Sequence, residues 1–323
     1  MKNIVYPDAS EGIEEILAGH RRESLEKLGD LMIFYDAPVD HQEFLRRVDG
    51  AHALLVGWAL PVDVMTQTPT LEILSFTGIG ASNFIDLPAA AAQGITVCNC
   101  PGYADNTVAE HTLALLLAAA RHLPQLDAEL RGGRWNQSLD GMELRGKKLG
   151  LVGFGGIGRR VFKLARAFGM TVKVWTRNPS EARAREHDVE FVSLDKLLQT
   201  SDVISLHVAL TDDTIDLIDA GRIKQMKPGS ILINTARGEV VEETALVDAL
   251  RDGHLKAAGL DVYQQDPLPA EHPLLKLDNV VLSPHVAYNT PEAGDAICEI
   301  AVENIVKFYE GNPINVVASP CQE

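Results

Sequence analysis

The stretch from Lys148 to Arg177, KLGLVGFGGIGRRVFKLARAFGMTVKVWTR, constrains this chain more than any other. An apolar run, Leu149 to Val152, leads into a glycine turn. Ile157, Val161, Leu164, Ala165 and Phe168 then recur at one-face helical spacing, Gly169 stands where a C-cap belongs, and a second apolar run ends at Trp175. Gly153, Gly155 and Gly158 fall in G-x-G-x-x-G spacing between the first strand and the helix, with Gly156 and Ile157 completing the turn. The first glycine permits a tight turn, the second lets the backbone approach a pyrophosphate, and the third lets helix and strand pack closely. The phosphate is then held at the helix N-terminus. Glycines alone also mark ordinary turns; the full strand–turn–helix–strand frame is what predicts a dinucleotide site.

The 323 residues suffice for two domains with separate cores, and 46% hydrophobic with 23% charged residues is ordinary for a soluble globular protein. A formal net charge of −16 argues against nucleic acid or an anionic membrane as partner. Cys98, Cys100, Cys298 and Cys321 are too scattered for a disulfide framework, and the spacing of the first two is not that of a zinc site. Free thiols, no metal site and a cytoplasmic location are expected. MKNIVYPDAS reads as a first strand rather than a signal peptide, and the apolar run Leu113 to Ala120 is too short to span a bilayer.

Strand-like segments at Asn3–Tyr6, Leu31–Tyr35, Ala53–Val56, Ile73–Phe76 and Thr96–Cys98 alternate with helical connections, the pattern of a parallel sheet. A second set follows at Leu149–Val152, Thr171–Trp175, Val203–Leu206, Ile231–Asn234, Ala257–Asp261 and Val280–Leu282. Long helices are predicted from Tyr103 to His122 and from Pro291 to Tyr309. No strand is expected after the latter, and Ala318 to Glu323 reads as frayed. The expected fold is α/β, with two doubly wound parallel-sheet domains (Rossmann-like and flavodoxin-like) and an active-site cleft between them. Residues 1–100 with 288–323 would form a discontinuous substrate-binding domain, and 101–287 the dinucleotide-binding one.

Ligands of an open α/β sheet sit beyond the carboxyl ends of its strands. Arg237, Asp266 and His285 each follow such a strand in the second set. An arginine offers a planar fork matching a carboxylate, and a histidine gives and takes a proton near neutral pH. A carboxylate beside such a ring favours its protonated form and fixes its orientation. In the first set, the turn Thr77-Gly78-Ile79-Gly80 is either an anion site made of backbone amides or a plain strand–helix turn.

Taken together, TGIGASNFIDL (77–87), NCPGYADNTVAEHTLALLL (99–117), GLVGFGGIG (150–158), SLHVALTDDT (205–214), INTARGEVVEETAL (233–246), AGLDVYQQDPLP (258–269) and SPHVAYNTPEA (283–293) resemble the D-isomer-specific 2-hydroxyacid dehydrogenase family over nearly the whole chain. The resemblance implies an enzyme in which Arg237 holds a keto acid's carboxylate and carbonyl, and His285 protonates the carbonyl oxygen. Gly78 and the amides of Ile79 and Gly80 would bind the carboxylate's other side. Asp261 would line the nicotinamide pocket, Thr107 would lie near the pyrophosphate and nicotinamide, and Thr235 and Ala236 would also bind the cofactor. The segment from His207 through Val208 and Ala209 to Leu210 would border the adenosine half, and Thr214 would also bind the cofactor. The family also implies a homodimer formed through the helix after Tyr103 and the arm that follows, placing Trp135 near the partner's active site. Trp58 and Tyr288 are read either as cleft walls or as core packing.

Two departures stand out. The family usually carries Glu where this chain has Asp266, one methylene shorter, although its place before Pro267 matches; the turn at 77–87 has one residue more than the commonest pattern. Cofactor choice follows from charge. An NAD site usually places an acid at the end of the second strand, whereas this chain has Thr176, Arg177 and Asn178 there, with no acid until Glu181. Arg177 would attract a 2′-phosphate, so NADP(H) is expected to be preferred, with NAD(H) possible. The expected reaction is reduction of a small 2-keto acid such as glyoxylate or hydroxypyruvate to the 2-hydroxy acid. The alternatives are D-3-phosphoglycerate oxidation, for which the usual regulatory domain is not seen, and a dinucleotide-sensing protein of the corepressor type. A formate dehydrogenase fits less well, because such relatives carry Gln at the position of Asp266.

Overall fold

The computed structural model describes residues 1–320 except Ser10, Glu11 and Ala59; of the end expected to fray, Cys321 to Glu323 lie outside the described residues, while Ala318 closes a short strand. The chain forms two compact units, Met1–Ala104 with Thr290–Glu323, and Asp105–Asn289.

In the first unit, β1 (Lys2–Tyr6), β2 (Gly29–Ile33), β3 (Ala53–Val56), β4 (Ile73–Phe76) and β5 (Thr96–Cys98) are parallel neighbours in the order β5-β4-β3-β1-β2. Every residue of β3 and β4 is buried, which is why these strands read as apolar runs, interrupted at Ser75, rather than alternating ones. The helix Pro291–Tyr309 closes one face, where Cys298, Ala301, Val302 and Ile305 share a core with Ile4 and Ile73. Polar pins fix its register: Ser75 Oγ donates to the Ala301 carbonyl at 2.9 Å, and the fully buried Asn304 donates to the Asn99 carbonyl at 2.9 Å.

One expectation fails here. A strand does follow that helix: Val316–Ala318 pairs antiparallel with the free edge of β5, Val316 opposite Cys98. It exists because the exposed edge offers unpaired backbone groups and Asn315 is tied to Asn304 at 2.9 Å, neither of which is a feature of three residues read alone. Cys98, Cys100 and Cys298 are free and buried in this unit. Burial pushes the thiols of Cys98 and Cys100 up to about 12 and that of Cys298 up to about 11, so none is a reactive thiolate at neutral pH.

The second unit is an all-parallel sheet of β6 (Lys148–Val152), β7 (Thr171–Trp175), β8 (Glu190–Phe191), β9 (Val203–Leu206), β10 (Ser230–Asn234), β11 (Leu255–Leu260) and β12 (Val280–Leu282), ordered β12-β11-β10-β9-β6-β7-β8. Chain order reverses at β6, which pairs with both β7 and β9, creating a topological switch point at its carboxyl end. The helix Asp105–Ala120 covers one face with Leu113, Leu116 and Ala119 against Leu149, Leu151 and Ile233. Leu197, Ile223, Leu246 and Leu250 cover the other, against Ile204, Leu206 and Leu232. β8 was not anticipated, being only two residues long. Among the described residues, no helix is long and apolar enough to cross a membrane.

Candidate active site

At the switch point the three motif glycines differ in what surrounds them. Gly153 has φ of 106° and a Cβ there would lie 2.2 Å from the His207 carbonyl oxygen; at Gly158 it would lie 2.6 Å from the Gly153 carbonyl oxygen. Those two positions are closed by backbone. At Gly155 nothing lies within 4 Å, so the turn is open where a pyrophosphate would approach the N-terminus of the helix Gly156–Ala167. Ile157 is in that helix's first turn. Gly156 is glycine for a reason not visible in the motif: a Cβ there would meet the Asp105 carboxylate at 1.9 Å. The apolar face also differs by one aromatic from its expected form. Phe168 follows the last helical turn and is 43% exposed, whereas Phe162 is buried and meets Phe154 edge-on at 5.6 Å.

The adjoining strand ends supply polar side chains. Arg183, which sequence reasoning missed, donates to the carbonyls of Phe154 (2.9 Å) and Asn178 (2.8 Å), lacing the glycine elbow to the loop after β7. In that loop, between Thr176 and Asn178, the half-exposed Arg177 donates to Thr211 Oγ1 at 3.0 Å and lies 3.3 Å from Asp213. Thr214, buried, shapes the facing loop by donating to the Ala209 carbonyl at 2.8 Å and accepting the Thr211 amide at 2.7 Å, while Val208 packs onto the core. His207 follows β9, its Nε2 2.8 Å from Ser205 Oγ, and burial pushes its pKa down to about 3, so the ring is neutral at physiological pH. Thr107 is in the first turn of the helix Asp105–Ala120, and the same helix reaches Thr235 through Thr112 at 2.9 Å. No acid occupies the end of β7. An open elbow, helix amides and a basic β7 end suit a nicotinamide dinucleotide.

The opposite half of the sheet edge is level: Asn234 of β10 is in register with Leu260 of β11, and Leu260 with Leu282 of β12. Arg237, Asp266 and His285 therefore all follow adjacent strand ends. Asn234 shapes the first turn, accepting the Ala236 amide (3.0 Å) and donating to the Arg237 carbonyl (2.8 Å). Gly238 presses on the next loop, since a Cβ would sit 1.9 Å from the Tyr263 carbonyl carbon. Asp266 Oδ2 lies 2.9 Å from His285 Nδ1, so the shorter acid reaches the ring. Both side chains are about two-fifths exposed. With Nδ1 taken, Nε2 is the nitrogen left for a ligand. The Tyr288 ring stands 6.1 Å from that of His285 at 83°.

Asp261 directly follows the end of β11. It is buried, with Ser283 and the amides of Val286 and Ala287 on its carboxylate. In the first unit, the turn after β4 is held by Cys100 N–H on the Gly78 carbonyl (2.8 Å) and Asn99 Nδ2 on the Ile79 carbonyl (2.7 Å), leads through Gly80 into a single 3-10 turn, and leaves Ile79 exposed. Trp58 is exposed, with its amide on Asp8, so it is not core packing. Trp135 is exposed too.

A switch-point elbow with a histidine–carboxylate pair on the same sheet edge defines the class as a nicotinamide-dependent oxidoreductase. The family follows from comparison: the NAD binding domain of D-isomer specific 2-hydroxyacid dehydrogenases matches residues 113–287, and the chain belongs to that family. It is a dehydrogenase of the CH–OH group. It is 41% identical over 289 residues to D-3-phosphoglycerate dehydrogenase of Archaeoglobus fulgidus, covering 88% of this chain but only 55% of that relative. A glyoxylate reductase of Korarchaeum cryptofilum is 39% identical over 290 residues, 87% of each chain. Among solved structures, an acyclic imino acid reductase in complex with NADPH and D-Arg superposes with a TM-score of 0.87 at 30% identity, covering 98% of this chain and 99% of that one.

Proposed function

We propose that the protein reduces a small 2-keto acid, glyoxylate or hydroxypyruvate in the first instance, to the D-2-hydroxy acid, with NADPH preferred over NADH. The observation that carries this reading is the His285–Asp266 pair at 2.9 Å beside the Arg237 strand end. The Arg237 fork grips the substrate carboxylate. When bound, the reduced nicotinamide supplies hydride to the carbonyl carbon. His285 Nε2 delivers a proton to the carbonyl oxygen, while Asp266 holds the ring by Nδ1 and balances its charge. Gly155, Gly156, Ile157 and Thr107 surround the pyrophosphate, and His207 to Ala209 with Thr214 flank the adenosine. Thr235 and Ala236 border the nicotinamide. Arg177, between Thr176 and Asn178, takes the 2′-phosphate; the NADPH-bound structural relative supports that choice.

The first unit, Met1–Ala104 with Thr290–Glu323, is the substrate domain and the second, Asp105–Asn289, the nucleotide domain, each boundary a few residues from the expected 100/101 and 287/288; the protein works as a homodimer in the cytoplasm. The exposed apolar side chains of Leu123, Leu130 and Trp135 favour the helix Leu123–Arg131 and its arm as the dimer contact. The phosphoglycerate relative keeps a second substrate in play. Oxidation of NADPH and NADH at 340 nm with glyoxylate, hydroxypyruvate and pyruvate, beside NAD⁺ reduction by D-3-phosphoglycerate, tests both. Turnover with none of the keto acids would sink the first reading.

A further inference from the structure

Between β11 and the 3-10 turn Pro273–Lys276 the chain has no helix or strand, and this stretch carries Asp266. Gln264 to Glu271 are exposed apart from Leu268, which packs on the core. A loop so thinly packed keeps a side chain in one place only through specific tethers.

Both ends of the loop are tied to one side chain, Glu243, which sequence reasoning missed. Glu243 opens the helix Glu243–Arg251. Its Oε1 lies 2.9 Å from His272 Nε2 at the far end of the loop, and its Oε2 accepts the Gln264 amide at a longer 3.4 Å at the near end. Gln264 also donates from Nε2 to the Val241 carbonyl at 3.0 Å. The other nitrogen of His272 fixes its tautomer: Nδ1 accepts the Leu274 amide at 3.3 Å, so in the neutral ring the proton is on Nε2 and is donated to Glu243. The side chains of Glu243 and His272 are 19% and 15% exposed, against about two-fifths for Asp266 and His285, so the inner pair is the less screened by water.

We infer that Glu243 and His272 are positioning residues: joined to each other, they close the ends of the loop 264–272 so that Asp266 stays on His285 Nδ1. The inference rests on Asp266 and His285 acting as the proposed acid pair. An aspartate has a single methylene between backbone and carboxylate, so it cannot follow the ring when its loop drifts. A displacement of about 1 Å already takes a 2.9 Å contact out of hydrogen-bonding range.

With saturating NADPH and whichever of glyoxylate, hydroxypyruvate and pyruvate turns over fastest, Glu243→Ala should lower kcat at least fivefold and leave the Kd for NADPH, read by its fluorescence, within threefold. A role confined to starting the helix Glu243–Arg251 would cost the same in any background, whereas action through Asp266 is non-additive. In an Asp266→Asn protein the same substitution should therefore lower kcat less than twofold. His272→Ala should lose at least threefold, and His272→Gln, whose amide keeps a donor for Glu243, should retain at least half the wild-type kcat. A smaller loss in Glu243→Ala, a loss that persists in Asp266→Asn, or NADPH bound more than threefold more weakly overturns the inference. Should Glu243→Ala not fold, the two His272 variants decide, and equal rates overturn it. An Asp266→Asn protein with wild-type kcat removes the acid-pair reading itself, whereas an impaired Asp266→Asn beside an unaffected Glu243→Ala removes this inference alone.

Discussion

The two halves of the second unit's carboxyl edge are built from opposite materials. At the β6–β7 end the site is backbone: glycines at 153 and 158 are pressed against carbonyls, and Gly155 is left open. At the β10–β12 end it is side chains, a guanidinium, an imidazole and two carboxylates on turns that follow level strand ends. A site made of backbone is damaged by adding atoms, and a site made of side chains by removing them. The first half should therefore fail through methyl groups and the second through truncations.

The largest effect is expected where the proposed proton donor is deleted. His285→Asn should lower kcat/KM about a thousandfold, roughly 4 kcal/mol, with little change in NADPH affinity; an effect below tenfold would break the side-chain half of the contrast. Gly153→Ala adds a methyl 2.2 Å from a carbonyl at a φ of 106°. It should cost about 3 kcal/mol or more of folding stability in urea titrations.

Gly155→Ala sharpens the comparison, because the added methyl meets nothing in the protein. Its Tm should stay within about a degree while NADPH binds ten- to a hundredfold more weakly, or about 1.4–2.7 kcal/mol. A fallen Tm with unchanged affinity would show that the open position serves the fold and not a ligand. Arg177→Asp should lower the NADPH/NADH ratio of kcat/KM at least tenfold. Asp213→Asn, which frees Arg177 from an exposed partner, should raise it no more than about threefold, since exposed pairs are weak.

A separate effect, on stability rather than on a ligand, is in pH. His207, whose carbonyl closes on Gly153, is pushed by burial to about 3 from an ordinary 6.5. Between those values the unfolded chain binds a proton that the folded chain refuses, so stability is full above 6.5 and is lost as pH falls towards 3. The slope is at most about 1.4 kcal/mol per unit. His207→Gln should flatten that slope in urea titrations at pH 7, 6 and 5.

Legibility followed the same divide. The elbow is local in sequence, so spacing alone located its turn, its helix and both strands; β3, β4, β5, β7, β9 and β12 and the helix Pro291–Tyr309 likewise announce themselves by apolar runs and periodicity. What escaped depends on partners distant in the chain. Nothing near Gly156 signals Asp105, and nothing near Asp261 signals that its oxygens face the amides of Val286 and Ala287. Arg183 reads as one more surface arginine until its two carbonyl acceptors are seen. Phe168 satisfied the helical period yet fell past the last turn, because periodicity does not say where a helix stops. Val316–Ala318 is a strand only because β5 offers it an edge.

The first unit's division into two stretches bears on biosynthesis. The second unit is one unbroken stretch and can fold as it leaves the ribosome. The first cannot: until Pro291–Tyr309 and Val316–Ala318 have been translated, the β4 face bearing Ile73 and the Ser75 hydroxyl stays uncovered, and the β5 edge unpaired. The nascent chain thus carries a sticky half-sheet until Pro291–Tyr309 and Val316–Ala318 emerge, and chaperone demand should fall at that point.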